Sequence, residues 1–340
     1  MIERKMKIIL IGNKIASTTG DIPDAIGIYE ELIKMNHDCL FVHFKNYQNE
    51  LKNYKQKPDY IFIEKNKNIW ADEVNKLRKQ FNCPIIYLMQ DYISMEEAKE
   101  EWRQLAKSVD VWVGKNMADI GWFKKNKIRH FYWGYDGVPK CFNKIDDNNI
   151  LKKIPQTPYP NPVPVNFIGN WVHNNFRTRF LYALQQKLPG LVHITTFTVR
   201  EFKEAQHCSD IPGLENVHHP LFGEDFAKIV GQTQINLSIE SIYDYGYWSH
   251  RIARMMASGG FVMAHYTPGM EKRYYDYVVY FHSINDCVEK IKYYLNHPEE
   301  RKAIAEKAYW YAHKFLNNKK KVWELLTYLE YYEKNKDFIL

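Results

Sequence analysis

Arg251 stands in the first turn of a predicted helix, where an arginine can do useful chemistry. A strand over 235–239 and a polar loop precede this helix. We expect Ser249 to be its N-cap, because a serine hydroxyl accepts hydrogen bonds from the first backbone N–H groups. A helix start carries unpaired N–H groups and partial positive charge, and a guanidinium adds a full charge. The sequence therefore predicts a phosphate or diphosphate site here, with a solvated surface arginine as the alternative.

Two further arginines occupy a similar position upstream. Residues 164–169 have the pattern of a buried strand that ends in Gly169, and Arg177 and Arg179 then open a predicted helix. Glycine allows a ligand to approach the backbone closely. Ligands of parallel sheets bind beyond the carboxyl ends of the strands. We therefore expect both arginines and Arg251 to converge on one diphosphate, with helix-surface charges as the alternative.

Polar residues also follow two strands predicted near the N-terminus. Asp91 comes just after the strand over 84–89, where its carboxylate can take the proton of an acceptor hydroxyl as a general base. The alternative is that Asp91 caps the next helix. Gly12 and Asn13 follow the first strand, and their loop matches neither a Walker motif nor G-x-G-x-x-G. These two residues are therefore a weak indication of ligand contact.

Strands alternate with helices along most of the chain, which predicts an α/β protein with parallel sheets covered on both faces. We expect two Rossmann-like doubly wound domains, over 1–150 and 164–317. A proline-rich stretch holds the chain extended and predicts a linker over 151–163. A last helix over 318–340 completes the chain.

Composition excludes several classes of protein. The 340 residues are 45% hydrophobic, enough for two cores, and the five cysteines lack the spacing of a zinc site or a disulfide framework. No apolar run approaches the roughly 20 residues of a membrane span. We expect a cytoplasmic protein, in the host cytoplasm if it is phage-encoded. The net charge of +7 permits a polyanionic partner or an anionic membrane surface.

The segment around Arg251 resembles the donor helix of two-domain (GT-B) glycosyltransferases, which has the pattern R-x-x-E-x-x-A-x-G. Arg251, Ala257 and Gly259 match this pattern. Arg254 replaces the glutamate whose carboxylate accepts hydrogen bonds from the donor ribose, and an arginine cannot accept one. The ribose is then held differently, or the donor is unusual, or the site is inactive.

Two other segments carry the same resemblance. Gly269 and Glu271 belong to a T-P-G-M-E segment similar to the PG-x-E loop that approaches the donor sugar. A plain helix-start acid is the alternative for Glu271. Residues 297–301 are similar to the H-P-E-x-R turn of the same enzymes. The landmarks resemble those of the CgeB-like and group 1 bacterial glycosyltransferases and of the phage DNA β-glucosyltransferases.

The resemblance implies transfer of a sugar from a nucleotide sugar, most simply a UDP-sugar, without a permanent cofactor or a required metal. It implies that Arg251, with Arg177 or Arg179, neutralises the diphosphate, that Asp91 is the base, and that the final helix returns to the first domain. The expected acceptor is a 5-hydroxymethylpyrimidine in double-stranded DNA. The alternatives are a cell-surface or spore glycan and, without catalysis, a module that binds DNA or a nucleotide sugar.

Overall fold

The computed structural model describes eleven stretches of the chain, and its strands form two parallel sheets. The described residues are 4–14, 24–66, 68–89, 93–114, 117, 119–132, 162–169, 176–196, 217–218, 224–240 and 242–335.

The first sheet has the strand order β2-β1-β3-β4-β5-β6, and its neighbouring strands are parallel. Every residue of β3 and β4 is buried, as expected for central strands covered on both faces. The strands are β1 (Lys7–Gly12), β2 (Asp38–His43), β3 (Tyr60–Glu64), β4 (Ile85–Met89), β5 (Val111–Gly114) and β6 (His130–Tyr132). The helices among them are α1 (Asp24–Lys34), α2 (Tyr47–Leu51), α3 (Ala71–Phe81), α4 (Glu100–Ser108) and α5 (Ile120–Lys125).

The second sheet has the order β12-β11-β10-β7-β8-β9, again with parallel neighbours. Its strands are β7 (Val163–Gly169), β8 (Val192–Thr196), β9 (Val217–His218), β10 (Thr233–Ser238), β11 (Val262–His265) and β12 (Val279–Phe281). The described helices that follow β7 in the chain are α6 (Phe176–Lys187), α7 (Glu224–Gln232), α8 (Arg251–Ala257), α9 (Met270–Tyr274), α10 (Ile284–Asn296), α11 (Pro298–Phe315) and α12 (Asn318–Lys334). Two sheets of this kind confirm the predicted pair of Rossmann-like domains.

The strand order reverses at one place in each sheet. In the first sheet this crossover lies between β1 and β3, and in the second between β7 and β10. A crevice opens beyond the carboxyl ends of the strands at such a point, because the connections leave in opposite directions. We therefore expect ligands to bind at these two crevices.

Helix α12 packs against the first sheet although it follows the second in sequence. Its buried residues share a hydrophobic core with Ile8, Ile28 and Leu88 of the first sheet and α1. At the start of α12, Asn318 lies so close to Gly27 of α1 that an added Cβ would be 2.3 Å from the Asn318 amide nitrogen. The chain thus passes between the two sheets once more near its end.

Replacing Leu325 of α12 with alanine is expected to lower the free energy of unfolding by about 2–5 kcal/mol, because this side chain is fully buried. Thr327→Ala, at an exposed position of the same helix, is the control and should change stability by less than about 0.5 kcal/mol. Chemical denaturation checks both. Equal effects of the two substitutions would show that α12 does not contribute to the core.

The structure also differs locally from the sequence prediction. The sequence pattern predicts a helix over 95–107, but α4 begins at Glu100, and the Met95 backbone N–H donates to the Asp119 carboxylate at 2.8 Å. The short helices α2 and α5 were not predicted. Strand β7 begins at Val163, and residues 151–161 of the predicted linker lie outside the described residues.

Candidate functional site

Arg251, the first residue of α8, lies at the strand crossover of the second sheet. Its Nη1 donates a hydrogen bond to the Ile168 carbonyl at 2.9 Å, and its Nη2 donates to the Ile239 carbonyl at 3.2 Å. Ile168 is near the end of β7, and Ile239 directly follows β10. These are the two strands at which the order reverses, so the guanidinium lies where doubly wound sheets bind ligands.

The side chain of Arg177, near the start of α6, lies beside that of Arg251. Its Nε donates to the Ile239 carbonyl at 2.7 Å, the acceptor that it shares with Arg251. The guanidinium of Arg177 lies 5.7 Å from the centre of the Phe167 ring, and that of Arg251 lies 4.8 Å from it. Both arginines are buried. Two positive charges held this close favour a bound anion, because an opposite charge relieves their repulsion.

A buried carboxylate, Glu240, accompanies the two arginines. Its Oε2 is 3.8 Å from Arg251 Nη2, and its Oε1 accepts a hydrogen bond from the Ser238 hydroxyl at 3.2 Å. Burial lowers the pKa of Arg177, and the charges of Glu240 and then Tyr247 oppose this effect. Two guanidinium groups and one carboxylate give a net charge of +1, so the cluster still attracts a diphosphate.

Gly169 is the last residue of β7. Because it has no side chain, the Arg251 guanidinium can pack directly against it. A Cβ atom at this position would lie 2.0 Å from Arg251 Nη1 and 2.9 Å from Phe167 Cζ. Any larger residue would therefore push the guanidinium away from the Ile168 carbonyl. The glycine predicted to admit a ligand admits the arginine side chain.

The start of α8 differs from the prediction by one residue. His250 occupies the N-cap position, one residue after the predicted Ser249, but its φ of −56° and ψ of −17° are already helical and its side chain makes no capping hydrogen bond. The Ser249 hydroxyl instead accepts a hydrogen bond from the Arg251 backbone N–H at 3.3 Å. Ser249 therefore accepts the hydrogen bond from a first-turn N–H group that the sequence predicts.

The end of α8 is a glycine cap. Gly259 has a φ of 79°, in the left-handed region that favours glycine. Its N–H donates to the Met256 carbonyl at 3.0 Å, and the Gly260 N–H donates to the Met255 carbonyl at 2.9 Å. This pair of bonds is the Schellman motif, which satisfies the last carbonyls and stops the helix where the double glycine predicts.

Arg179 is not part of the cluster that Arg177 and Arg251 form. Residues two apart on a helix face different sides, and Arg179 is exposed whereas Arg177 is buried. The structure therefore brings two of the three predicted arginines together.

Arg254 faces the first domain. Its Nη2 lies 3.9 Å from Oδ1 of Asp24, the first residue of α1, and His250 Nδ1 lies 3.5 Å from Oδ2 of the same carboxylate. Nearby, the Tyr132 hydroxyl at the end of β6 donates to the Gly246 carbonyl at 3.1 Å. Helix α8 and its preceding loop thus contact both domains, and the residue that departs from the resemblance pairs with a carboxylate across the crevice.

Substituting Arg254 with glutamate, the residue that the resemblance leads one to expect, should destabilise the protein by about 3 kcal/mol or more. The new carboxylate would face buried Asp24 at close range. The double variant Asp24→Arg/Arg254→Glu restores opposite charges and should recover at least half of the loss. Thermal denaturation of the three proteins measures both effects. Additive losses in the double variant would show that the two side chains do not interact.

The loop before α9 holds Gly269 and Glu271 together. Gly269 has a φ of 98°, and its N–H donates to Glu271 Oε2 at 3.1 Å. The same oxygen accepts a hydrogen bond from the Tyr266 hydroxyl at 3.0 Å. Burial tends to raise the pKa of Glu271, but hydrogen bonds from its own backbone, Tyr266 and Gly269 outweigh this and lower the pKa. The carboxylate is ionised at neutral pH and exposed to solvent.

Gly12 and Asn13 lie at the strand crossover of the first sheet. The Asn13 N–H donates to Glu64 Oε2 at 2.8 Å, and the N–H of Ala25 in α1 donates to Glu64 Oε1 at 3.1 Å. A Cβ at Gly12 would lie 2.7 Å from Ala25 Cβ. Buried Glu64, which the sequence analysis did not single out, therefore fixes this loop to the start of α1.

Asp91, predicted to be the general base, lies outside the described residues. The described strand β4 ends two residues before it, at Met89.

An aromatic group surrounds His265, at the end of β11. The rings of Phe176, Tyr243 and Phe281 have centres 5.0, 6.0 and 5.7 Å from the His265 ring. Burial lowers the pKa of His265, the nearby His282 acts in the same direction, and Glu240 acts against both. His265 is therefore neutral at neutral pH. Sequence reasoning missed both His265 and Glu240, although each follows or ends a predicted strand.

The described residues contain no group of three or more His, Cys, Asp or Glu side chains that could hold a metal ion. In the same part of the chain, no helix combines the length and the apolar character needed to cross a bilayer.

Residues 177–327 match the family model described as "Glycosyl transferase-like". This segment begins at Arg177 and contains α8 with Arg251. The matched segment spans less than half of the chain, and together with the two Rossmann-like sheets it shows similarity to GT-B glycosyltransferases.

Solved structures with the same fold extend over nearly the whole chain. Anabaena HepE in complex with UDP-glucose has a TM-score of 0.68 at 12% identity, covering 95% of this chain and 99% of that one. Sucrose-phosphate synthase from Thermosynechococcus elongatus has a TM-score of 0.68 at 10% identity, covering 96% and 100%. An alpha-glucosyltransferase in complex with UDP and a 13-mer DNA has a TM-score of 0.64 at 10% identity, covering 96% and 99%. None of the curated protein sequences matches the chain.

Proposed function

We propose that the protein transfers a sugar from a UDP-sugar to an acceptor hydroxyl, with the donor diphosphate at Arg251 and Arg177. One observation carries the proposal: two buried guanidinium groups from different helices share the Ile239 carbonyl at the crossover of the second sheet. HepE supports the choice of uridine, because this protein of the same fold has been solved in complex with UDP-glucose and with UDP.

The arginine pair fits the charge that the reaction develops. As the bond between the anomeric carbon and the β-phosphate oxygen breaks, negative charge grows on the departing UDP. Preorganised guanidinium groups in a site closed to water stabilise that charge more than they stabilise the bound donor. Arg251 is held by two carbonyls and by Glu240, so it need not reorganise during the reaction.

The remaining donor contacts follow from the placement of the loops. We assign the sugar hydroxyls to the exposed carboxylate of Glu271 and the Gly269 backbone. Gly169 and Ser249 are assigned to the diphosphate site because both lie next to Arg251. Gly12 and Asn13, at the crossover of the first sheet, are assigned to the opposite wall of the crevice.

Asp91 is assigned as the general base that takes the proton of the acceptor hydroxyl. The assignment rests on its place in the sequence, two residues after β4 in the centre of the first sheet. Direct attack assisted by such a base inverts the configuration at the anomeric carbon. Asp91→Asn should then lower kcat about 100-fold or more with little change in UDP affinity.

Two acceptor classes remain in competition. A 5-hydroxymethylpyrimidine in double-stranded DNA is supported by the alpha-glucosyltransferase solved with UDP and DNA and by the net charge of +7. A glycan on a lipid carrier or cell surface is supported by the aromatic and basic surface of α11 and α12, which the next subsection describes.

UDP release in the presence of each acceptor tests the proposal. Purified protein is incubated with UDP-glucose, UDP-galactose or UDP-N-acetylglucosamine, and with either hydroxymethylated duplex DNA or lipid-linked glycans. Release that requires an acceptor, with loss of release in Arg251→Ala, supports sugar transfer and identifies the acceptor. No binding or turnover of any UDP-sugar would contradict the proposal.

A further inference from the structure

The C-terminal end of α11 and the start of α12 carry a run of charge of one sign. Residues 307–323 contain five lysines and no aspartate or glutamate, whereas Glu306 and Glu324 border the run. We call residues 307–323 the elbow. Lys321 is buried, so the other four lysines give the elbow its surface charge. A local excess of this size attracts an anionic surface.

Large aromatic side chains are exposed on the same elbow. Trp310 is 64% exposed, Trp323 is 48% exposed and Phe315 is 36% exposed. The Nζ atoms of Lys314 and Lys320 lie 5.2 Å and 4.8 Å from the centre of the Phe315 ring. We call these five residues the aromatic–lysine patch. A lysine from each helix, Lys314 of α11 and Lys320 of α12, thus contacts the same Phe315 ring.

The core does not explain the exposed rings. Helix α11 buries Ala308 and Ala312, and α12 buries Val322 and Leu325, on sides other than those that carry the tryptophans. Exposed Tyr275 extends the aromatic surface, because its ring lies 6.2 Å from Tyr311, and Tyr311 lies 5.3 Å from Phe315. Several exposed aromatic side chains on two consecutive helices mark an interaction site.

We infer that the aromatic–lysine patch docks the protein on the surface of an anionic lipid bilayer. Tryptophan and phenylalanine partition into the region between headgroups and acyl chains, where an apolar ring and water are both close. Lysines next to them meet the negative headgroups, and their long side chains reach outward while the rings insert. The end of α11 and the start of α12 carry both kinds of side chain.

The composition of the patch favours a lipid surface over nucleic acid. Duplex DNA would contact the lysines, but its phosphate backbone offers no apolar layer to receive Trp310 and Trp323. The run over 307–323 also contains no arginine, the residue that pairs best with phosphate in a fixed geometry. A bilayer offers an apolar layer to the three rings of the patch and negative headgroups to its two lysines.

Docking here has a consequence for the acceptor. A glycosyltransferase held at a bilayer meets acceptors concentrated in that surface, such as sugars on lipid carriers. The inference does not depend on the donor site, because none of the patch residues is assigned to donor binding or catalysis.

Co-sedimentation with vesicles tests the docking surface in the full-length protein. We expect binding to vesicles that contain phosphatidylglycerol and not to pure phosphatidylcholine vesicles. Trp310→Ala/Trp323→Ala should weaken this binding by about tenfold or more, and Lys314→Glu/Lys320→Glu should do the same and remove its salt sensitivity. Thermal denaturation confirms that each variant is folded.

Matched controls are available on other exposed surfaces. Tyr182→Ala removes an exposed ring from α6, and Lys76→Glu/Lys79→Glu reverses two exposed lysines of α3. Both should bind anionic vesicles like the wild type. The inference is overturned if the protein ignores anionic vesicles or if patch and control variants bind alike. It is also overturned if short duplex DNA binds and the patch lysines alone account for that binding.

Discussion

Replacing Arg251 with alanine is expected to lower kcat/KM for the UDP-sugar by about 100- to 1,000-fold, the usual effect of removing a group that stabilises developing charge. Arg251 is fixed between the Ile168 and Ile239 carbonyls, so no neighbouring side chain can take its place without moving. Initial rates of UDP release give kcat and KM separately. Arg179→Ala removes an exposed arginine of the neighbouring helix and should change kcat/KM by less than about threefold.

A stability loss must be separated from this effect. Removing Arg251 alone leaves buried Glu240 with one cation fewer, which destabilises the fold. The double variant Arg251→Met/Glu240→Gln removes both charges and fills the same space, so it should unfold at nearly the wild-type temperature and remain inactive. Full activity in either variant would contradict the role of Arg251.

Gly169→Ala is expected to lower kcat/KM by about 100-fold through the position of Arg251 rather than through any contact of its own. The methyl group would lie 2.0 Å from Arg251 Nη1 and 2.9 Å from Phe167 Cζ, distances that force a side chain to move. The guanidinium would leave the Ile168 carbonyl and with it the geometry needed for the diphosphate. The stability cost should stay near that of ordinary overpacking, about 1–3 kcal/mol.

Gly121→Ala is the matched control, because an added Cβ there meets no atom within 4 Å. This helical glycine should accept alanine with unchanged kinetics and equal or slightly higher stability. UDP-sugar titrations and thermal denaturation on both variants separate loss of donor affinity from loss of fold. If Gly169→Ala binds the donor as tightly as Gly121→Ala does, the close packing of Gly169 on Arg251 has no functional meaning.

Much of the fold follows from local pattern. Alternating buried strands and amphipathic helices predict two doubly wound domains, and the double glycine at 259–260 predicts the end of α8. The place of Arg251 follows as well, because ligands of such sheets lie beyond the carboxyl ends of strands. The sequence could also have predicted that Arg177 and Arg179 lie in different environments, because residues two apart on a helix do not share a face.

The partners of the arginines could not be read from the sequence. Glu240 follows β10 by two residues and Arg251 begins α8, and their contact depends on how these two elements pack. Asp24 and Arg254 are far apart in the chain and meet only when the two domains face each other. Long-range pairs of this kind depend on the packing of whole elements. The ion pair also gives Arg254 a contact that the usual glutamate would not make.

Calorimetric titration with UDP, UMP and uridine tests the diphosphate site most directly. If Arg251 and Arg177 bind the diphosphate, affinity should fall by about tenfold or more for each phosphate removed, and Arg251→Ala should bind UDP at least about tenfold more weakly than the wild type does. Arg179→Ala should bind UDP like the wild type. Equal affinity for UDP and uridine, or unchanged UDP affinity in Arg251→Ala, would contradict the account.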